Sequence, residues 1–197
     1  MSNEVAVLLY PGCIFFEIAL ATETLAEHMP VRYYTPNGQA HRASNGALIQ
    51  ASGDFAKLVT AAVAAVLIPG GDPQSIVLPE PVATSALRAQ AERGALLAGI
   101  CAGGLVLASA GLLKGRRATH NYTAEHAPPE KVAATARFWE GMHFERANLV
   151  QDGQFITAQP WAYRQFAAAV AKHLGVLGPE AAAALEAYVT QRTYGAA

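Results

Sequence analysis

Leu96-Leu97-Ala98-Gly99-Ile100-Cys101-Ala102-Gly103-Gly104 is the stretch whose reading decides the fold. Its apolar run is short enough for a buried strand, and it stops at a cysteine. A helix-like pattern follows at once, from Leu105 to Leu113. Gly99 and Gly103 stand two residues either side of Cys101, which gives G-x-C-x-G, the thiol counterpart of the G-x-S-x-G nucleophile elbow. In such a sharp strand-to-helix turn the nucleophile's backbone is strained, and the glycines let strand and helix approach closely. The sulfur is then expected at the C-terminal edge of a sheet, above the N-terminus of the next helix. Unpaired N–H groups and the positive end of the helix dipole favour thiolate over thiol there. A cysteine in a plain core strand packs as a small apolar residue, but such a strand has no need of the two glycines.

Outward from this stretch, strands and helices alternate. Residues 5–10 form a continuous apolar run, typical of a parallel strand covered on both faces, and Pro11-Gly12 ends it. A helix is expected over 14–28, with Ile14, Ile18, Ala21 and Leu25 on one face and Glu17 at that face's border. Residues 31–35 read as a second strand. Asn45-Gly46 marks a hairpin within 42–51, and Asp54 is placed to cap a short helix. A third strand over 62–68 ends in Pro69-Gly70-Gly71-Asp72, and a helix over 81–93 leads into the elbow. Beyond it come a short strand at 116–120 and a helix near 130–137. Strands at 144–150 and 155–157 then flank Gln151-Asp152-Gly153, and helices follow at 161–174 and 179–193. This alternation implies an α/β fold: a single domain over 1–197, built as a three-layer doubly wound sandwich. Its mostly parallel sheet has helices on both faces, and its reactive groups gather beyond the strands' C-terminal ends.

Composition narrows the class of function. Of 197 residues, 52% are hydrophobic and 15% charged, the net charge is −1, and no basic block occurs, which argues against a nucleic-acid partner. Two cysteines, Cys13 and Cys101, are too few for a secreted disulfide framework. The first residues lack the positive region of a signal peptide, and no apolar run is long enough to span a bilayer. The expectation is a cytoplasmic protein with no membrane partner. His28, His41, His126, His143 and His173 show no metal-ligand spacing, so no metal and no cofactor are expected.

Glu17, Gly70-Gly71 and Cys101 follow three strands whose ends meet at one sheet edge. With the P-G-G turn, G-I-C-A-G-G, G-R-R-A-T at 115–119, Asp152-Gly153 and Pro160 before a helix, the chain resembles the ThiJ/PfpI superfamily. This is the DJ-one family, with a class I glutamine amidotransferase-like fold. The resemblance covers nearly the whole chain. It implies that Cys101 is the nucleophile and Glu17 the carboxylate that contacts it. It implies too that amides of Gly70-Gly71 and Ala102 form an oxyanion hole, and that His120 is the candidate general base or acid. Ala118-Thr119-His120-Asn121 is one residue shorter than the family's A-T-T-H. Because a one-residue slip turns a side chain to the other face, either His120 or Asn121 occupies the position facing the sulfur. Ala102 stands where peptidase-like members carry histidine, which disfavours a Cys–His peptidase. Gln159-Pro160 stands where many members have Gly-Pro.

Members of the superfamily include glyoxalase or deglycase-type enzymes, hydratases, peptidases, chaperones and stress sensors. The resemblance therefore implies a cysteine-dependent enzyme acting on a small-molecule electrophile such as a reactive carbonyl, isocyanide or amide. The alternatives are a redox or stress-response protein whose Cys101 is oxidised, and a ligand-sensing domain. A homodimer is expected, as for many relatives, with Phe15 and Phe16 lying off the first helix's core face.

Overall fold

Strands and helices alternate along the computed structural model, which describes residues 3–77 and 81–187. In order come β1 (Val5–Leu8), α1 (Phe16–Ala26), β2 (Val31–Thr35), β3 (His41–Arg42), β4 (Leu48–Ile49) and β5 (Gly53–Asp54). Next are α2 (Phe55–Thr60), β6 (Ala65–Ile68), α3 (Gln74–Val77), α4 (Pro81–Glu92), β7 (Leu96–Ile100) and α5 (Gly103–Ser109). The last part holds β8 (Arg117–Ala118), α6 (Pro129–Thr135), β9 (His143–Phe144), β10 (Leu149–Asp152), β11 (Phe155–Ala158), α7 (Tyr163–His173) and α8 (Pro179–Ala187).

The main sheet has seven strands in the order β10-β11-β7-β6-β1-β2-β5, all parallel except the edge strand β10. Every residue of β1, β6, β7 and β11 is buried, as strands covered on both faces must be. Helix α1 packs against α7, and α2 against α4. The chain steps from β1 to β2 in one direction across the sheet and from β6 to β7 in the other. Right-handed crossovers then put α1 and α4 on opposite faces, giving the doubly wound, three-layer arrangement. The connection order reverses between β1 and β6, which is where open α/β sheets form their crevice.

The hairpin expected at 42–51 is β3 paired with β4, turning at Gly46 with φ +89°. Asp54 caps α2, its Oδ1 accepting the Lys57 N–H at 2.7 Å. The first strand stops at Leu8, and the first helix starts at Phe16 rather than residue 14. Between them Cys13 N–H donates to the Tyr10 carbonyl at 3.0 Å and Ile14 N–H to the Gly70 carbonyl at 2.8 Å. These residues are thus bonded in a turn and to the loop after β6 instead of joining either element. The single strand expected at 144–150 is two: β9 pairs with β8, while β10 joins the main sheet. A 3-10 turn, Pro160–Ala162, precedes α7. Of the helix expected at 179–193, the part beyond Ala187 lies outside the described residues. No helix among the described residues is long and apolar enough to cross a membrane.

Candidate active site

Cys101 follows β7 with φ +56°, the one non-glycine residue with positive φ among the described residues. A left-handed conformation costs an L-residue roughly 1–3 kcal/mol, so it persists only where its surroundings enforce it. The enforcement is visible on both sides. Cys101 N–H donates to the Ala158 carbonyl at 2.8 Å, and its own carbonyl accepts from Gly104 N–H at 3.2 Å. A Cβ on Gly99 would lie 2.6 Å from the Gly103 carbonyl carbon, and one on Gly103 would collide with the Ile68 carbonyl oxygen. The two glycines of G-x-C-x-G are therefore the condition for strand, turn and helix to fit together.

Glu17 reaches the sulfur from the first turn of α1. Its Oε2 accepts the Gly70 N–H at 2.7 Å, and the side chain is buried, with 4% exposure. A Cβ on Gly70 would sit 2.6 Å from Cys101 Sγ and still closer to Glu17 Oε2, so only glycine lets carboxylate and thiol meet across this loop. Burial pushes the Glu17 carboxyl up to about 7, against the lowering effect of the Gly70 amide and the Cys101 thiol hydrogen bond. Burial, and then the Glu17 charge, push the Cys101 thiol up to about 12, while the amides of Ala102 and Gly71 pull it down. The amides at the helix start favour the thiolate, as the elbow leads one to expect, while desolvation and the neighbouring carboxylate oppose it. Carboxyl and thiol lie close enough that the ionisation of each opposes that of the other, so their titrations are coupled.

The same hydrogen bond revises the oxyanion hole. Gly70 N–H is committed to Glu17, whereas the amides of Gly71 and Ala102 are the ones directed at the sulfur. Gly71 has φ +124° and forms an isolated bridge with Cys13, so closely that a Cβ would strike the Gly12 carbonyl oxygen. Cys13 is a buried free thiol beside this loop, pushed up by burial, and Cys101 is likewise free.

The one-residue difference around His120 resolves in favour of Asn121, whose Nδ2 lies 3.9 Å from Cys101 Sγ. His120 is turned into an aromatic stack, with ring centroids 4.0 Å from Trp139 and 4.9 Å from Phe144. Its Nδ1 accepts the Tyr122 N–H at 3.1 Å, and burial pushes the ring down to about 4, so it is neutral at physiological pH. The expectation of His120 as general base beside Cys101 is thus corrected: alternation along an extended chain sends its ring to the other side. Gln159 explains how the segment is held. Its Nε2 donates to Thr119 Oγ1 at 2.9 Å and to the His120 carbonyl at 3.0 Å, and Thr119 N–H donates to Thr157 Oγ1 at 2.9 Å.

Two tyrosines at the site were not singled out in the sequence. Tyr10 closes the first apolar run and donates its hydroxyl to the Pro69 carbonyl at 2.7 Å, behind the P-G-G turn. Tyr122 follows Asn121 directly and is pushed up to about 12, chiefly by burial and then by the charges of Cys101, Asp72 and Glu17. For Tyr122 the signal was adjacency to Asn121; Tyr10 adjoins no motif position and only closes the first apolar run. Among the described residues no three His, Cys, Asp or Glu side chains converge to hold a metal ion.

A strained cysteine at the end of β7, beside the switch point of a doubly wound sheet and met by a carboxylate from the first turn of α1, defines a class of α/β proteins built around a cysteine elbow. The DJ-1/PfpI family model matches residues 3–173, and the chain belongs to that family. Its fold is similar to a DJ-1 superfamily protein of Agrobacterium tumefaciens (TM-score 0.79, 23% identity, 96% of this chain and 99% of that one). It is similar also to Drosophila melanogaster DJ-1beta (TM-score 0.77, 24% identity, 98% and 100%) and to oxidized Toxoplasma gondii DJ-1 (TM-score 0.74, 20% identity, 98% and 100%). In sequence it is 32% identical over 128 residues to the "Uncharacterized protein in cpoL 5'region" of Streptomyces lividans, covering 61% of this chain and 88% of that one.

Proposed function

We propose that the protein is a cysteine-dependent enzyme acting on a small electrophile bearing a carbonyl or comparably activated carbon. The observation that carries this reading is the convergence of Glu17 and the Gly71 and Ala102 amides on a strained Cys101. Cys101 Sγ attacks the electrophilic carbon, forming the S–C bond as the carbonyl π-pair moves to oxygen. The thiol proton passes to Glu17, whose raised pKa of about 7 suits a group that both takes and returns a proton near neutrality. Gly71 and Ala102 N–H groups stabilise the developing oxyanion, a role in which one donor is worth roughly 10²–10³ in rate. Return of the proton from Glu17 to that oxygen gives the neutral thiohemiacetal or its analogue. Asn121, not a histidine, is the further side chain that reaches the sulfur.

The test is a panel of methylglyoxal, an isocyanide and a primary amide, assayed with wild type and Cys101→Ser. Turnover of one class that vanishes in Cys101→Ser supports the reading. Absence of turnover in all three, with Cys101 converted by peroxide to a stable sulfinate, would replace it with the redox reading. We also propose that two copies associate through the face bearing Phe16, which is 57% exposed and packs tilted against the Tyr163 ring at 5.0 Å.

A further inference from the structure

A cavity of about 460 Å³ adjoins the site through Gly71, whose amide is directed at the sulfur, and the proposed chemistry leaves the rest of it unused. Gly71 and Tyr122 form its end nearest Cys101, and Pro73, Val77, Leu105 and Phe138 give it apolar walls. Its polar wall groups are largely occupied within the protein. Thr135 Oγ1 donates to the Lys131 carbonyl at 2.9 Å, and Asp72 Oδ1 accepts the Gln74 N–H at 3.2 Å. Asp72, Gln74 and Lys131 are exposed and sit at the rim, so the interior is an apolar chamber with a charged mouth. Its volume falls in the roughly 300–1,000 Å³ range of small-molecule pockets, far more than a three-carbon dicarbonyl fills.

We infer that this cavity receives the non-reacting part of the substrate. The substrate is then an electrophile carrying a ring-sized apolar substituent, such as an aryl glyoxal, in preference to a three-carbon dicarbonyl. The reason is energetic. Each methylene-sized increment seated in an apolar pocket discriminates by roughly 10–200-fold, and a chamber left part-empty forfeits that contribution. The inference rests on the reading of Cys101 as the attacking group, but the cavity itself can be probed without chemistry.

Two measurements separate the claims. Saturation-transfer NMR on Cys101→Ala protein compares benzamide with acetamide as unreactive probes. Benzamide is expected to bind, acetamide not, and Ala134→Trp or Val77→Phe, which enlarge lining side chains contributed by two different helices, should abolish the benzamide signal. Kinetics then compare phenylglyoxal with methylglyoxal. The ratio of kcat/KM is expected to exceed about 10 in the wild type and to fall toward 1 in both narrowed variants. Benzamide binding that neither variant disturbs, or a wild-type ratio near 1, overturns the cavity assignment while leaving Cys101 an enzyme nucleophile. Benzamide binding lost in both variants, with no turnover of either glyoxal, supports the cavity and removes glyoxals as the electrophile Cys101 attacks.

Discussion

Asn121 Nδ2 lies 3.9 Å from the Cys101 sulfur, while the ring of the residue before it, His120, stacks on Trp139 at 4.0 Å. The proposed chemistry therefore routes its proton through Glu17 and not through His120. His120→Phe should keep the stack but leave the Tyr122 N–H without its acceptor, a loss of about 1 kcal/mol. The pH profile of Cys101 alkylation should be unchanged in this variant. A shifted profile would restore His120 to the chemistry. Asn121→Ala removes a weak donor to sulfur and should alter the alkylation rate only about fivefold.

Gly103→Ala tests the elbow's construction. Its new Cβ meets the Ile68 carbonyl, which is backbone within the buried β6 and has no room to retreat. Overpacking of this kind costs about 3 kcal/mol, or roughly 6–12 °C in Tm for a chain of this length. Gly115→Ala serves as comparison, since a Cβ there meets nothing within 4 Å, although its φ of +73° adds some strain. Equal losses at both positions would mean that the close approach of β6 to α5 is not what glycine serves.

The fold was legible because its information is local. Buried parallel strands announce themselves as apolar runs, and G-x-C-x-G fixes a strand, a turn and a helix at once. Glu17, Gly71, Ala102 and Cys101 were readable for the same reason, each sitting at a strand end or helix start. What sequence left open was determined by contacts across the chain. The commitment of Gly70 N–H to Glu17 joins residues 53 apart, and the anchoring of Thr119 by Thr157 and Gln159 decides which side of 119–121 faces the sulfur. The chamber beside Tyr122 draws walls from α3, α5 and α6, none of which carries a motif.

The two thiols should be distinguishable by access. Cys13 has no exposure, whereas Cys101 is partly accessible at the crevice. Iodoacetamide at pH 8, followed by peptide mass mapping, should modify Cys101 and spare Cys13. Comparable labelling of both would show that the Cys13–Gly71 bridge opens readily and that the site is far less rigid than its hydrogen bonds imply.

Association through the Phe16 face predicts a dimer at micromolar concentration by sedimentation. Replacing an exposed phenylalanine with a charge leaves the fold intact but opposes apolar association, so Phe16→Glu should yield monomer. A monomeric wild type would remove the proposal.

Glu17 links the site to stability. Its carboxyl is raised by burial from 4.5 to about 7 in the folded chain. Below about pH 4 it is protonated whether the chain is folded or not, so its burial adds no penalty there. As pH rises past 4.5 the unfolded chain releases this proton while the folded chain keeps it, and stability falls until the folded group ionises near 7. The accumulated loss by pH 8 is about 3 kcal/mol, from a shift of roughly 2.5 units at 1.36 kcal/mol each. Glu17→Gln cannot ionise, still offers an oxygen to Gly70 N–H, and places an amide donor toward the sulfur. Wild type and variant should therefore melt at similar temperatures at pH 4, with the variant higher by roughly 6–12 °C at pH 8. Thermal unfolding across this range checks both sign and window. Parallel curves would mean that Glu17 ionises at the same pH in the folded and the unfolded chain, so that it holds no proton near neutrality and the proposed chemistry loses its proton carrier.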